Sequence, residues 1–175
     1  MSDLNSQLDA VKSKENFLEK VARFIPGYNG YVNRDNSREL DTLVRNTLAK
    51  NLDTNHVKLK NTVLNLSQKG KLFESDGIDK LDKKLQQSVN KFRSAARGYS
   101  GMFDVVKVKD DKLNQLYQFD ANLFNNVESI SAACTEMENN SKAGVDITPG
   151  VEKVSAVLDE LIKQFDSREA ILNTV

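Results

Sequence analysis

The chain has 175 residues, 25 Lys and Arg against 25 Asp and Glu, one His and one Cys. A length near that of an ordinary domain points to a single domain spanning residues 1–175. One Cys excludes an intramolecular disulfide framework, and one His with one Cys excludes a His/Cys zinc site. Zero net charge argues against a purpose of neutralising nucleic acid or coating an anionic membrane.

The opening Met1-Ser2-Asp3-Leu4 carries no secretory pattern, and no apolar run reaches the length of a membrane span, so the expectation is a cytoplasmic protein without a membrane span. Glycine and proline cluster at Pro26–Gly30, Gly70–Gly77, Gly98–Gly101 and Gly144–Gly150. They separate five stretches whose apolar residues recur at helical rather than strand spacing, giving helices near 3–25, 36–68, 76–97, 110–140 and 149–172.

The first stretch has Leu4, Leu8, Val11, Leu18, Ala22 and Ile25, with Glu15 as an interruption. The second opens on Asn36-Ser37-Arg38-Glu39, which reads as a capping box, and has His56 at a missing apolar rung. The fourth alternates steps of three and four through Leu113, Leu116, Asp120, Leu123, Val127, Ile130, Cys134 and Met137, broken only by Asp120. The fifth starts at Thr148-Pro149, a favourable cap and first-turn pair. Val105–Lys109 is the one β-like run. The fold expected is all-α, an antiparallel up-down bundle of four to five helices.

Alternating helix directions put Gly27-Tyr28-Asn29-Gly30-Tyr31 and Gly98-Tyr99-Ser100-Gly101-Met102 at one end. Gly27, Gly30, Gly98 and Gly101 then shape two similar loops, either as simple helix ends or as a mount for aromatic anchors. On the second reading Tyr28, Tyr31, Tyr99, Met102 and Phe103 form a surface for a protein partner. Neither loop has the Lys-Ser/Thr of a phosphate-binding loop.

The segment Phe24-Ile25-Pro26-Gly27-Tyr28-Asn29-Gly30-Tyr31, with Arg34, Arg38, Glu39, Asp41 and Arg45 after it, resembles the opening of an uncharacterised group of bacterial helical proteins with an Ile-Pro-Gly-Tyr-x-Gly-Tyr segment. Gly98–Asp104 with Leu116–Asp120 is similar to that group's second segment, so the resemblance spans residues 20–130. It implies the helical fold and assigns no chemistry.

Glu15, Arg45 and Asp120 fall at one height of the bundle, where a buried carboxylate requires a partner. They are expected to form a polar layer that sets helix register, with Arg45 as the available cation. A metal-carboxylate or enzymatic centre is the alternative, but a di-iron bundle needs two Glu-x-x-His steps and the chain has one His, so no metal and no cofactor is assigned. Cys134 reads as a packed thiol and His56 as a half-buried or surface side chain.

Residues 1–103 carry 18 basic against 12 acidic side chains and residues 104–175 carry 7 against 13, a split of +6 and −6. Basic and acidic helices lying side by side account for this. The rival is an RNA-binding face on the third helix with Lys80, Lys83, Lys84, Lys91, Arg93 and Arg97, but Asp76, Asp79 and Asp82 interrupt it, so nucleic acid is disfavoured as a partner. The functional expectation is a non-enzymatic protein-interaction or scaffold module, with self-association into a homo-oligomer left open.

Overall fold

The computed structural model describes residues 12, 15–28, 30, 34–94 and 110–173. Every element among them is helical: α1 (15–22), α2 (Arg34–Asp53), α3 (Asn55–Gln68), the short 3-10 helix η1 (Leu72–Ser75), α4 (Asp76–Ser94), α5 (Asp110–Ala143) and α6 (Thr148–Asn173). The all-α expectation holds. The β-like run at 105–109 and the first fourteen residues, apart from Lys12, lie outside the described part.

The helix expected over 36–68 is two helices meeting at Thr54. Thr54 Oγ1 donates to the Asn51 carbonyl at 2.7 Å, and Asn55 Nδ2 reaches the carbonyls of Asn51 and Leu52. Short polar side chains that take backbone carbonyls weaken the helical ladder locally and bend it. The bond from Thr54 N–H to the Lys50 carbonyl survives at 3.3 Å, so the two helices continue one another with a change of direction. As a result α2 lies mainly against α4 while α3 lies against α5.

Helices α3 and α5 end alike. The N–H groups of Lys71 and Gly70 close on the carbonyls of Leu66 and Ser67, and those of Val145 and Gly144 close on Asn140 and Ser141. These bond pairs satisfy terminal carbonyls that have no partner within the helix. At the start of α6 the cap is Asp146, whose Oδ1 accepts from Thr148 N–H at 3.0 Å and Thr148 Oγ1 at 2.7 Å. Those bonds hold the Asp146 carboxyl below its ordinary range. The cap expected at Thr148 therefore sits two residues earlier.

Side-chain contacts give the helix directions. Lys84 pairs with Asp159 and Lys91 with Asp166, so α4 and α6 run the same way. Lys58 meets Ser131 and Asn65 meets Ser141, so α3 and α5 do as well. Asn126 bonds Gln164 while Asp120 pairs with Arg168, so α5 and α6 are opposed. Among the described residues, most apolar rungs read from the sequence meet in or against one buried cluster, with Phe92 against Phe165 and Phe24 stacked on Phe124 at 4.5 Å. No helix among the described residues is long and apolar enough to cross a membrane.

Candidate functional site: a buried charge network

Two arginines and two aspartates meet inside the bundle toward the end that holds the α1–α2 connection. Asp41, Arg45, Asp120 and Arg168 are each at most 1% exposed. Arg168 joins three elements: its Nε donates to Asp120 Oδ1 at 2.6 Å and its Nη2 lies 2.7 Å from Asp41 Oδ1. Asp41 Oδ2 accepts from Arg45 Nε at 2.9 Å, one helical turn along α2. Arg45 also donates to Thr42 Oγ1 and to the Phe92 carbonyl of α4. Tyr28 Oη donates to Asp120 Oδ2 at 3.3 Å.

The sequence explains how each member arrives. Asp41 and Arg45 are four apart on α2 and share its inner face with Val44 and Leu48. Asp120 is the anomaly in the α5 ladder. Arg168 continues the α6 ladder of Leu158, Leu161 and Phe165, with Leu172 the next rung. The network's two arginines and two aspartates balance in charge. Each carboxylate faces a guanidinium, a group that stays charged under all ordinary conditions. Carboxylates paired this way tie α2, α5 and α6 together and specify their relative positions.

The loop after α1 is locked onto this network. Tyr28 is 6% exposed, so a residue expected as a partner-binding anchor is turned inward. Gly27 and Gly30 both have left-handed backbones, with φ of +81° and +86°. At Gly30 a Cβ would stand 2.7 Å from Tyr117 Oη, and Tyr117 is itself buried. Both the dihedral and the close approach therefore require glycine there. Glu15 is exposed and lies outside the buried layer in which it was expected. Its helix turns that position outward, whereas Val21 and Ile25 face in. Tyr31, Gly98, Tyr99, Gly101, Met102 and Phe103 lie outside the described residues.

Arg168 and Asp41 are the members that sequence reasoning missed. Extending the α6 ladder one rung beyond Phe165 finds a charge at a core position, which is the same signal that singled out Asp120. Asp120 meets Arg168 and Tyr28, while Arg45, expected to hold it, reaches Asp41.

Glu169 sits half-buried at the edge of the network. Burial, reinforced by the negative charge of Asp41, pushes its carboxyl up to about 7, against the opposing pull of Arg45 and Lys91. A carboxyl with a raised folded-state pKa binds more protons folded than unfolded. Its presence therefore costs stability as pH rises from about 4.5 through about 7, and the cost is complete above that. Glu169→Gln is expected to stabilise the protein by about 1 kcal/mol at pH 8, after discounting for partial exposure, and by almost nothing at pH 4. Urea unfolding of both proteins at the two pH values measures the difference. An equal gain at pH 4 and pH 8 would show that ionisation is not its cause.

Elsewhere, chemistry-bearing groups are absorbed into packing. Cys134 is buried on α5, and desolvation pushes its thiol up to about 11, outweighing the opposing pull of Lys58. His56 is half-buried, with Nδ1 against Asp82 of α4 and Nε2 3.6 Å from Asp53. Among the described residues no group of three or more His, Cys, Asp or Glu side chains is arranged to hold a metal ion. On the basic third helix of the sequence reading, here α4, Lys84, Lys91 and Arg93 are paired with Asp159, Asp166 and Asp53. The basic and acidic halves of the chain thus meet along α4 and α6. No protein-family model, curated protein or solved structure matches this chain.

Among the described residues the outer face of α2 and α3 differs from the other helices. Leu43, Val57 and Leu64 are 46%, 63% and 59% exposed, and Leu72 and Phe73 of η1 follow, Phe73 at 77%. Among the described residues no large apolar side chain is comparably exposed on α4, α5 or α6.

Proposed function

We propose that this chain is a non-catalytic interaction module that docks a partner protein along the outer face of α2 and α3. The carrying observation is that, among the described residues, exposed large apolar side chains are confined to the Leu43–Phe73 stretch and Val145. Exposed apolar surface gathered on one face marks contact sites on soluble proteins. The internal pairing of Asp41 and Asp120 with arginine supports a structural role for the carboxylates rather than a metal-carboxylate or enzymatic centre. The pairing of Lys84, Lys91 and Arg93 takes three cations of the α4 basic face away from RNA and leaves Lys80 and Lys83 among the described residues. This reading moves the contact surface from the Gly-Tyr loops, because Tyr28 is committed to Asp120. The setting proposed is the cytoplasm, with Cys134 a free, buried thiol.

Photo-crosslinking in the native host tests the proposal. A benzophenone amino acid at Val57 or Leu64 is expected to give a discrete protein adduct, and the same group at exposed Gln87 of α4 is expected to give none. Equal adduct patterns at all three positions would remove the surface from consideration.

A further inference from the structure

Leu43, Lys50, Val57 and Leu64 are spaced seven residues apart on two helices that continue one another through Thr54. Seven residues are nearly two helical turns, so the four form one row on the outer face, drifting only slowly around the axis. The row is apolar except at Lys50. Followed along the two helices it covers about 30 Å, the length of a partner helix of about 20 residues.

The charges along this row have one sign. Between Leu43 and Leu64 the exposed charged residues are Lys50 and Lys60, with no exposed Asp or Glu. Asp53 is partly exposed at the bend, but Arg93 neutralises it at 3.1 Å. Glu39 lies one turn before the row begins. The neighbouring Lys58 is turned away, donating to Ser131 Oγ and the Ser131 carbonyl of α5. A lysine within an apolar seam sets register, because its ammonium must face a carboxylate or water when the seam closes. A partner that covers this row therefore has to bring apolar side chains at seven-residue spacing and carboxylates beside them.

We infer that the α2–α3 face binds an acidic amphipathic helix of a partner protein, with Lys50 pairing a partner carboxylate within the seam. The inference rests on the reading of this face as a contact surface, and it adds the chemistry of the occupant. Charge complementarity at the flanks selects the partner, while the apolar row holds it.

The test uses the full chain and two synthetic helical peptides of about three heptads. Both carry leucine at the seam positions; one has glutamate flanks and the other lysine flanks. Fluorescence anisotropy is expected to show the glutamate peptide binding at least about tenfold more tightly, with the preference shrinking at high salt. The paired variant Val57→Ser with Leu64→Ser is expected to abolish binding. Lys50→Glu with Lys60→Glu is expected to reverse the preference toward the lysine peptide. All four positions are exposed, and thermal unfolding confirms that the variants keep the fold. Equal binding of both peptides, lost in the serine variant, overturns the acidic partner and leaves the contact face standing. No binding of either peptide overturns the inference, and the crosslinks at Val57 and Leu64 then judge the face by itself. A concentration-dependent dimer without peptide in sedimentation velocity, abolished by Leu64→Glu, overturns it in favour of a second copy of this chain.

Discussion

Replacing Arg168 with Met is expected to destabilise the protein by about 3–5 kcal/mol, the range for removing one partner from a buried ion pair. The side chain is 0% exposed and holds Asp120 and Asp41 together, so its loss takes a guanidinium from two carboxylates buried away from water. The penalty is chiefly their desolvation, since a buried ion pair stabilises much less than its Coulomb attraction suggests. Lys84→Met supplies the comparison. Lys84 pairs with Asp159 at 2.6 Å, but that aspartate is 68% exposed, so water replaces the lost partner. Its loss should cost at most about 1 kcal/mol. Urea midpoints of the two variants measure the contrast, and similar costs would mean that the buried network does not set helix positions. A double-mutant cycle of Arg168→Met with Asp120→Asn then isolates the pair, because residues in direct contact depart from additivity.

Gly30→Ala is expected to cost about 2–4 kcal/mol, the sum of a left-handed backbone for an L-residue and overpacking against a filled site. The new methyl would meet Tyr117, whose ring is buried and has little room to retreat. Gly27→Ala is the control. Its φ is also positive, but nothing lies within 4 Å of the added Cβ, so only the backbone term of about 1–2 kcal/mol applies. Thermal unfolding of the two variants separates packing from dihedral strain. Equal losses would place Gly30 in open space. The two glycines look alike in the chain, and only the neighbour above Gly30 distinguishes them.

The α4, α5 and α6 stretches were readable because their inward positions keep steps of three and four over several turns. Asp120 was readable as an anomaly for the same reason. Its partner was not, since a ladder shows that a charge faces inward but not which helix stands opposite. Arg45 was a fair candidate by height along the bundle. The rotation of α6 about its axis puts Arg168 there first. Glu15 was placed inside by extending a ladder through its weakest part, where steps of three and four leave the inward face ambiguous. The bend at Thr54 left the apolar spacing almost untouched, so periodicity read 36–68 as one helix. Three side-chain bonds to carbonyls, one from a hydroxyl and two from an amide, divide it, and α3 then lies mainly against α5.

Along this chain, the sequence by itself determined the all-helical class, most of the core rungs and the presence of a charge at a buried position. Those properties are local, set by 3.6 residues per turn and by the cost of exposing apolar surface. The tertiary structure alone decided the pairing of Arg168 with Asp120 and Asp41, the inward turn of Tyr28 and the outer row of Leu43, Val57 and Leu64. Pairing depends on which helices are neighbours and how each is rotated, and a rotation of one residue, about 100°, exchanges a buried partner for a solvated one.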